Sequence, residues 1–106
     1  MTLANPFGPP ARGWDEVSAT LDRAAANYRD GGAVGFENVS TVITSDLAYT
    51  VEMERYQARV GGAADVTPVA ARVTTVFRRE DGGWKVIHRH ADPITTPRPA
   101  ESVIAT

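Results

Sequence analysis

Apolar residues at Val17, Leu21, Ala24, Ala25 and Tyr28 recur every three or four positions, while Asp15, Asp22, Arg23 and Arg29 occupy places between them. That spacing gathers the apolar side chains on one face of a helix. Asp15 and Glu16 stand in its first turn, where carboxylates favour the positive end of the helix dipole. Gly31 and Gly32 follow the pattern, as glycine past a helix C-terminus commonly does. The spacing therefore predicts a helix over residues 14–30.

After Gly32 the pattern reads as strands. They are expected over residues 34–44, with Gly35 and Asn38 marking a bulge, and over residues 47–60, 66–79 and 84–91, the last ending before Pro93. Ser45-Asp46, Gly61-Gly62 and Glu80-Asp81-Gly82-Gly83 supply short turns, so consecutive strands form an antiparallel meander. Ahead of the helix, residues 2–5 read as a short strand that Pro6, Pro9 and Pro10 end; proline cannot donate to a ladder, so this piece is an edge or a loop. The expected architecture is α+β: one domain over residues 1–92, a curved antiparallel sheet with a long helix on its concave face, then an extended tail over 93–106.

Alternation assigns faces. Val69, Ala71, Val73, Thr75 and Phe77 form a mostly apolar row, and their neighbours Ala70, Arg72, Thr74, Val76 and Arg78 are mixed. On the last strand, strict alternation groups Trp84, Val86, His88 and His90 against Lys85, Ile87, Arg89 and Ala91. Neither face is polar enough to be left in water. One is expected to be covered by the helix and the other by a second copy of the chain, giving a homodimer through the sheet. Trp84 is expected to be a buried anchor of the last hairpin.

Composition narrows the function classes. A chain of 106 residues with 42% hydrophobic content is one globular domain. A net charge of −2 argues against non-specific nucleic-acid binding. The absence of cysteine removes disulfides, thiolate nucleophiles and thiolate-bound zinc together. No run approaches the roughly 18 apolar residues of a membrane span, and no basic-then-apolar leader opens the chain. No membrane partner is expected, and a cytoplasmic location is the default reading.

The most specific stretch runs from Arg72 to Asp92: Thr74-Thr75-Val76-Phe77, the Asp81-Gly82 turn, Trp84, then His88-Arg89-His90. It resembles the C-terminal hairpin of SnoaL-like proteins and of the association domain of calcium/calmodulin-dependent protein kinases, where a Thr-x-Val-aromatic strand turns through Asp-Gly to a Trp and a His-x-His pair. Gly13-Trp14, after Pro6-Phe7-Gly8-Pro9, resembles the family's helix before the sheet. Residues 3–92 are thus similar to the nuclear transport factor 2-like superfamily, in its SnoaL-like and ketosteroid-isomerase-like branch. The resemblance implies a cone-shaped domain with a pocket between helix and sheet. Relatives usually carry one or two helices before the first strand, and those N-terminal helices are missing here; the chain reads as a fragment, as one with a mis-assigned start, or as one whose pocket is open on one side. Thr75 and Ala91 fall where the kinase association domains carry pocket arginines, so anion binding in their manner is not expected.

Candidate chemistry follows. The parity that the resemblance implies points Val73, Phe77, Ile87 and Arg89 inward, toward a mostly apolar cavity with one guanidinium. Glu52, Glu54 and Tyr56 share one face of their strand. Glu52, mid-strand, is the candidate general base, and Arg89 the candidate oxyanion donor. Glu54, Tyr56, Val73, Thr75, Phe77 and Ile87 are candidate ligand contacts. The competing arrangement pairs Glu52 and Glu54 with Arg72, Arg78 or Arg89 across strands. His88, His90 and Asp92 form an alternative trio, but two histidines and one Asp fall short of a closed zinc site, so neither metal nor cofactor is expected. The expected function is binding of a small apolar ketone or polyketide-type molecule, with isomerase- or cyclase-like acid–base chemistry. The alternative is a non-catalytic dimerisation module.

Overall fold

The computed structural model describes residues 1–105, apart from the side chains of Asp30 and Ala33. In chain order the elements are β1 (Thr2–Ala4), β2 (Ala11–Arg12), α1 (Trp14–Ala26), β3 (Tyr28–Ile43), β4 (Leu47–Val60), β5 (Thr67–Glu80) and β6 (Gly83–Asp92), followed by a 3-10 turn at Ala100–Val103. β3 to β6 form the expected antiparallel meander. The turn between β5 and β6 places Asp81 at φ 49° and Gly82 at φ 78°, the paired positive angles that a two-residue hairpin matched to strand twist requires.

The sheet is mixed rather than wholly antiparallel. Its order is β2-β1-β6-β5-β4-β3, with β1 parallel to β6. The short opening strand is therefore covered on both sides, and β2 and β3 are the two edges. α1 links these edges, lying against β1, β2 and the beginning of β3 and closing the curled sheet into a half-barrel. Leu3, Ala11 and Val17, from β1, β2 and α1, bury together with Met1 packed on them. Ala58, Ala71 and Val73 are buried further along the same side of the sheet. Among the described residues no helix is long and apolar enough to cross a membrane.

Two local expectations are corrected. The helix ends at Ala26, four residues before the expected Asp30. Asn27 terminates it without glycine: its N–H reaches the Ala24 carbonyl at 3.0 Å, and its side-chain Nδ2 donates to the Arg23 carbonyl at 3.0 Å. Tyr28 and Arg29 then pair with Val60 and Arg59, so Gly31 and Gly32 lie within β3, at a register shift, rather than at the helix stop. Ladder bonds to a distant strand outweigh the local glycine signal.

The second correction concerns faces on β6. The register runs Val76 to His88 and then Phe77 to Val86, leaving Ile87 as the extra residue of a β-bulge. A bulge reverses alternation beyond it. Trp84 and Val86 therefore stand opposite Arg79 and Phe77, on the other side of the sheet from His88 and His90. Nor is Trp84 a buried anchor: it is 37% exposed, with the Arg79 guanidinium 4.6 Å from its ring centre. Truncating it would cost less than the roughly 3–5 kcal/mol of a fully buried large aromatic.

Candidate functional site

The inner face of the sheet, the one that carries Leu3 and Val73, assembles most of the candidate residues. Along β4 it presents Ala48, Thr50, Glu52, Glu54, Tyr56 and Ala58, because alternate side chains share a side. Glu52 faces Val73 on β5 and Asn38 on β3; Glu54 faces Ala71 and Phe36. Arg89 on β6 faces Thr75 and Leu3.

Of the two carboxylates, Glu54 captures the guanidinium. Arg89 Nη2 donates to Glu54 Oε2 at 3.2 Å, reaching across β5. Both side chains are only partly buried, at 34% exposure for Arg89 and 24% for Glu54. Glu52 is half-buried, and among the described residues its side chain has neither a hydrogen bond nor an ion pair. Tyr56, next on the same row, has its phenol pKa pushed well up. Burial is the main cause; a side-chain hydrogen bond with Tyr28 and the charge of Glu54 add to it, and Arg89 opposes them. Tyr56 is thus a neutral hydroxyl at any ordinary pH. Its ring meets Tyr28 edge-on with centroids 5.5 Å apart, and Tyr28 in turn meets Phe7 at 5.6 Å.

Two apolar clefts flank the carboxylates along β4. One, of about 320 Å³, lies toward α1 and is lined by Phe7, Tyr28, Val60, Val69 and Ala71, among others. The other, of about 230 Å³, lies toward the β5–β6 turn and includes Ile43, Ala48, Thr50, Phe77 and Trp84. Glu52 and Glu54 occupy the wall between these hollows, by their place on β4.

The structure thus brings Glu52, Glu54, Tyr56, Val73, Thr75, Phe77 and Arg89 to one face, while Ile87 is drawn into the bulge. His88, His90 and Asp92 lie on the opposite, outer face, where they face Val76, Thr74 and Arg72. There, a 2.6 Å hydrogen bond joins Thr2 Oγ1 to His88 Nδ1, and one of 2.9 Å joins His90 Nε2 to Asp92 Oδ2. Asp92 also accepts from Arg72 Nε at 2.7 Å and from the Ile94 N–H at 3.0 Å. Burial acts to raise the Asp92 pKa, but the bonds from Arg72, Ile94 and His90 outweigh it, and the carboxyl sits below its ordinary value. Among the described residues no group of three or more His, Asp or Glu side chains converges as a metal site. Sequence reasoning missed Phe7, Tyr28 and Trp84 as inner-face residues. Tyr28 carried a helical spacing that the ladder to Val60 overrides, and a bulge hides Trp84 from strict alternation.

A model of the SnoaL-like domain matches residues 4–95 of this chain. No protein with a curated description matches it. Among solved structures, a protein of the NTF2-like family from Streptomyces avermitilis is 25% identical, with a TM-score of 0.73 over 90% of this chain and 66% of its own. A ketosteroid isomerase-like protein from Erwinia carotovora atroseptica is 20% identical, with a TM-score of 0.75 over 90% of this chain and 73% of its own. An NTF2-like protein of unknown function from Pseudomonas putida is 22% identical, with a TM-score of 0.67 over all of this chain and 71% of its own. The chain spans about two thirds of the length of the structures it resembles.

Proposed function

The chain belongs to the SnoaL-like domain family, and from that premise we propose that it binds a small apolar ketone along the inner face of its sheet and moves a proton at the carbon beside the carbonyl. The observation that carries this reading is the division of labour between the two carboxylates. Glu54 holds Arg89 and leaves Glu52 unpaired, mid-strand, opposite the buried Val73 and between two apolar clefts. An unpaired carboxylate in an apolar, partly desolvated place is suited to act as a general base.

The chemistry runs as a proton relay. Glu52 takes the α-proton, the C–H electron pair moves into the new C=C bond, and the carbonyl π pair moves onto oxygen. Arg89 directs Nη2 to Glu54 and keeps its remaining N–H groups for that oxygen. Glu54 holds the guanidinium in place; its own charge opposes the developing enolate, so the net field is weaker than that of a lone Arg. Glu52 then returns the proton to the same carbon or to another, the second course being an isomerisation. That a structural neighbour is ketosteroid isomerase-like agrees with this class of reaction.

The test is hydrogen–deuterium exchange at the α-carbon of cyclohexanone in deuterated buffer, followed by NMR. The wild-type protein is expected to exchange faster than buffer, and Glu52→Gln to lose most of that acceleration, a general base supplying about 10²–10⁴-fold. Exchange no faster than in buffer, or unchanged in Glu52→Gln, would refute the base assignment.

A second reading is favoured by the outer face. Val42, Leu47, Tyr49, Val51, Thr74 and Val76 line an apolar groove of about 430 Å³ there. We propose a second copy of this chain as its occupant. If Glu52 proves inert, dimerisation through this face becomes the domain's main role.

A further inference from the structure

A cleft of about 300 Å³ lies between α1 and the loop that joins β1 to β2, away from the carboxylates of β4. That volume is at the lower end of small-molecule sites, which usually run to roughly 300–1,000 Å³. Only Phe7 is common to this cleft and the one beside Tyr28. We infer that it binds a free dipeptide, a short zwitterion whose charged ends stand about 7 Å apart when extended.

Glu16, Thr20, Arg23 and Ala24 form one wall, because residues three and four apart share a face of α1. Asn5, Phe7, Pro9 and Pro10 form the other. This second wall is preformed. Asn5 Oδ1 accepts the Phe7 N–H at 3.0 Å, the prolines have a fixed φ, and the Gly13 N–H ties the far end of the loop to the Met1 carbonyl at 3.0 Å. A wall already ordered keeps down the entropy that binding must give up.

Opposite charges mark the two ends of the helical wall, and among the described residues neither Glu16 nor Arg23 has an ion-pair partner. Their Cα atoms are about 10.5 Å apart along the helix axis, at 1.5 Å per residue. Arg23 leans back across part of that gap: its Nη2 donates to Thr20 Oγ1 at 3.1 Å, and the same hydroxyl donates to the Glu16 carbonyl at 2.8 Å. The guanidinium is thus held beside Thr20, about one turn from Glu16. A purely anionic or purely cationic molecule would meet repulsion at one end of this wall. The fitting ligand carries an ammonium for Glu16 and a carboxylate for Arg23, which binds carboxylates through paired N–H groups. In a single amino acid both charged groups branch from one carbon and stand too close together to reach both side chains. An extended dipeptide spans them, with its peptide bond over Thr20 and an apolar side chain against Phe7 and the prolines. Asn5 Nδ2, without a partner among the described residues, stands in the facing wall to donate to the peptide carbonyl.

The experiment titrates alanyl-leucine into the full chain and follows backbone amides by NMR. Saturable shifts are expected at Gly8, Thr20 and Arg23, which line the cleft. Glu16 and Arg23 are both exposed, so Glu16→Gln and Arg23→Gln leave the fold intact. Each should raise the dissociation constant about fivefold, the size of one exposed charge contact. Capped peptides then identify the ends. N-acetyl-alanyl-leucine should bind wild type and Glu16→Gln equally, and alanyl-leucine amide should bind wild type and Arg23→Gln equally. Absence of saturable shifts at millimolar peptide, or a dissociation constant that neither substitution moves, would overturn the site. Substitution effects that persist with the matching cap would overturn the dipeptide as its ligand.

Discussion

Val73 faces Glu52 at the centre of the inner wall and is 3% exposed. Replacing it with Ala removes two methyl groups from that wall. At about 0.8 kcal/mol per buried methylene-sized group the lost transfer energy is about 1.6 kcal/mol. A cavity that stays open adds to this, while one that opens into the hollow and takes up water adds little, so the total is about 1.6–2.6 kcal/mol. For a domain of this size each kcal/mol lowers Tm by about 4–8 °C, which places the expected drop between about 6 and 20 °C. Urea unfolding followed by circular dichroism reads the same quantity: the midpoint should fall while the slope with denaturant stays constant. Val73→Thr is the companion variant, since it keeps the volume but buries a hydroxyl, at a cost of about 1–3 kcal/mol. A loss below about 0.5 kcal/mol in Val73→Ala would show that Val73 is wet in solution. Glu52 would then lack the apolar floor that a desolvated base requires.

Asp92→Asn should lower stability by a few tenths to about 1 kcal/mol at pH 7, because Arg72, its main partner, is largely exposed. The folded carboxyl sits below its ordinary value, so its contribution is present above about pH 4 and is lost as pH falls through the folded pKa. The gap between wild type and Asp92→Asn should therefore close in acid, and a gap of equal size at pH 7 and pH 3 would disprove the linkage. For the outer face, light scattering at tens of micromolar should give a dimer for the wild-type chain and a monomer for Tyr49→Asp. A folded wild-type monomer at that concentration would eliminate the second copy as occupant.

Several features of this molecule are local and were legible in the chain itself. The helical spacing of Val17, Leu21 and Ala24, the Asp81-Gly82 turn and the period-two runs specify one helix and a meander, because each depends on backbone geometry within a few residues. The same alternation places Glu52, Glu54 and Tyr56 on one side of β4 wherever that strand goes. Other features depend on which strand pairs with which, and only the tertiary structure decided them. Pairing with Val60 pulled Tyr28 out of the helix, and β1 found β6 in parallel across more than 80 residues of chain. One extra residue at Ile87 carried Trp84 to the inner face and left the histidines outside. Arg89 chose Glu54 over Glu52, although both stand on the same row. That choice turns on a register set by three strands at once, and no window of sequence contains all three.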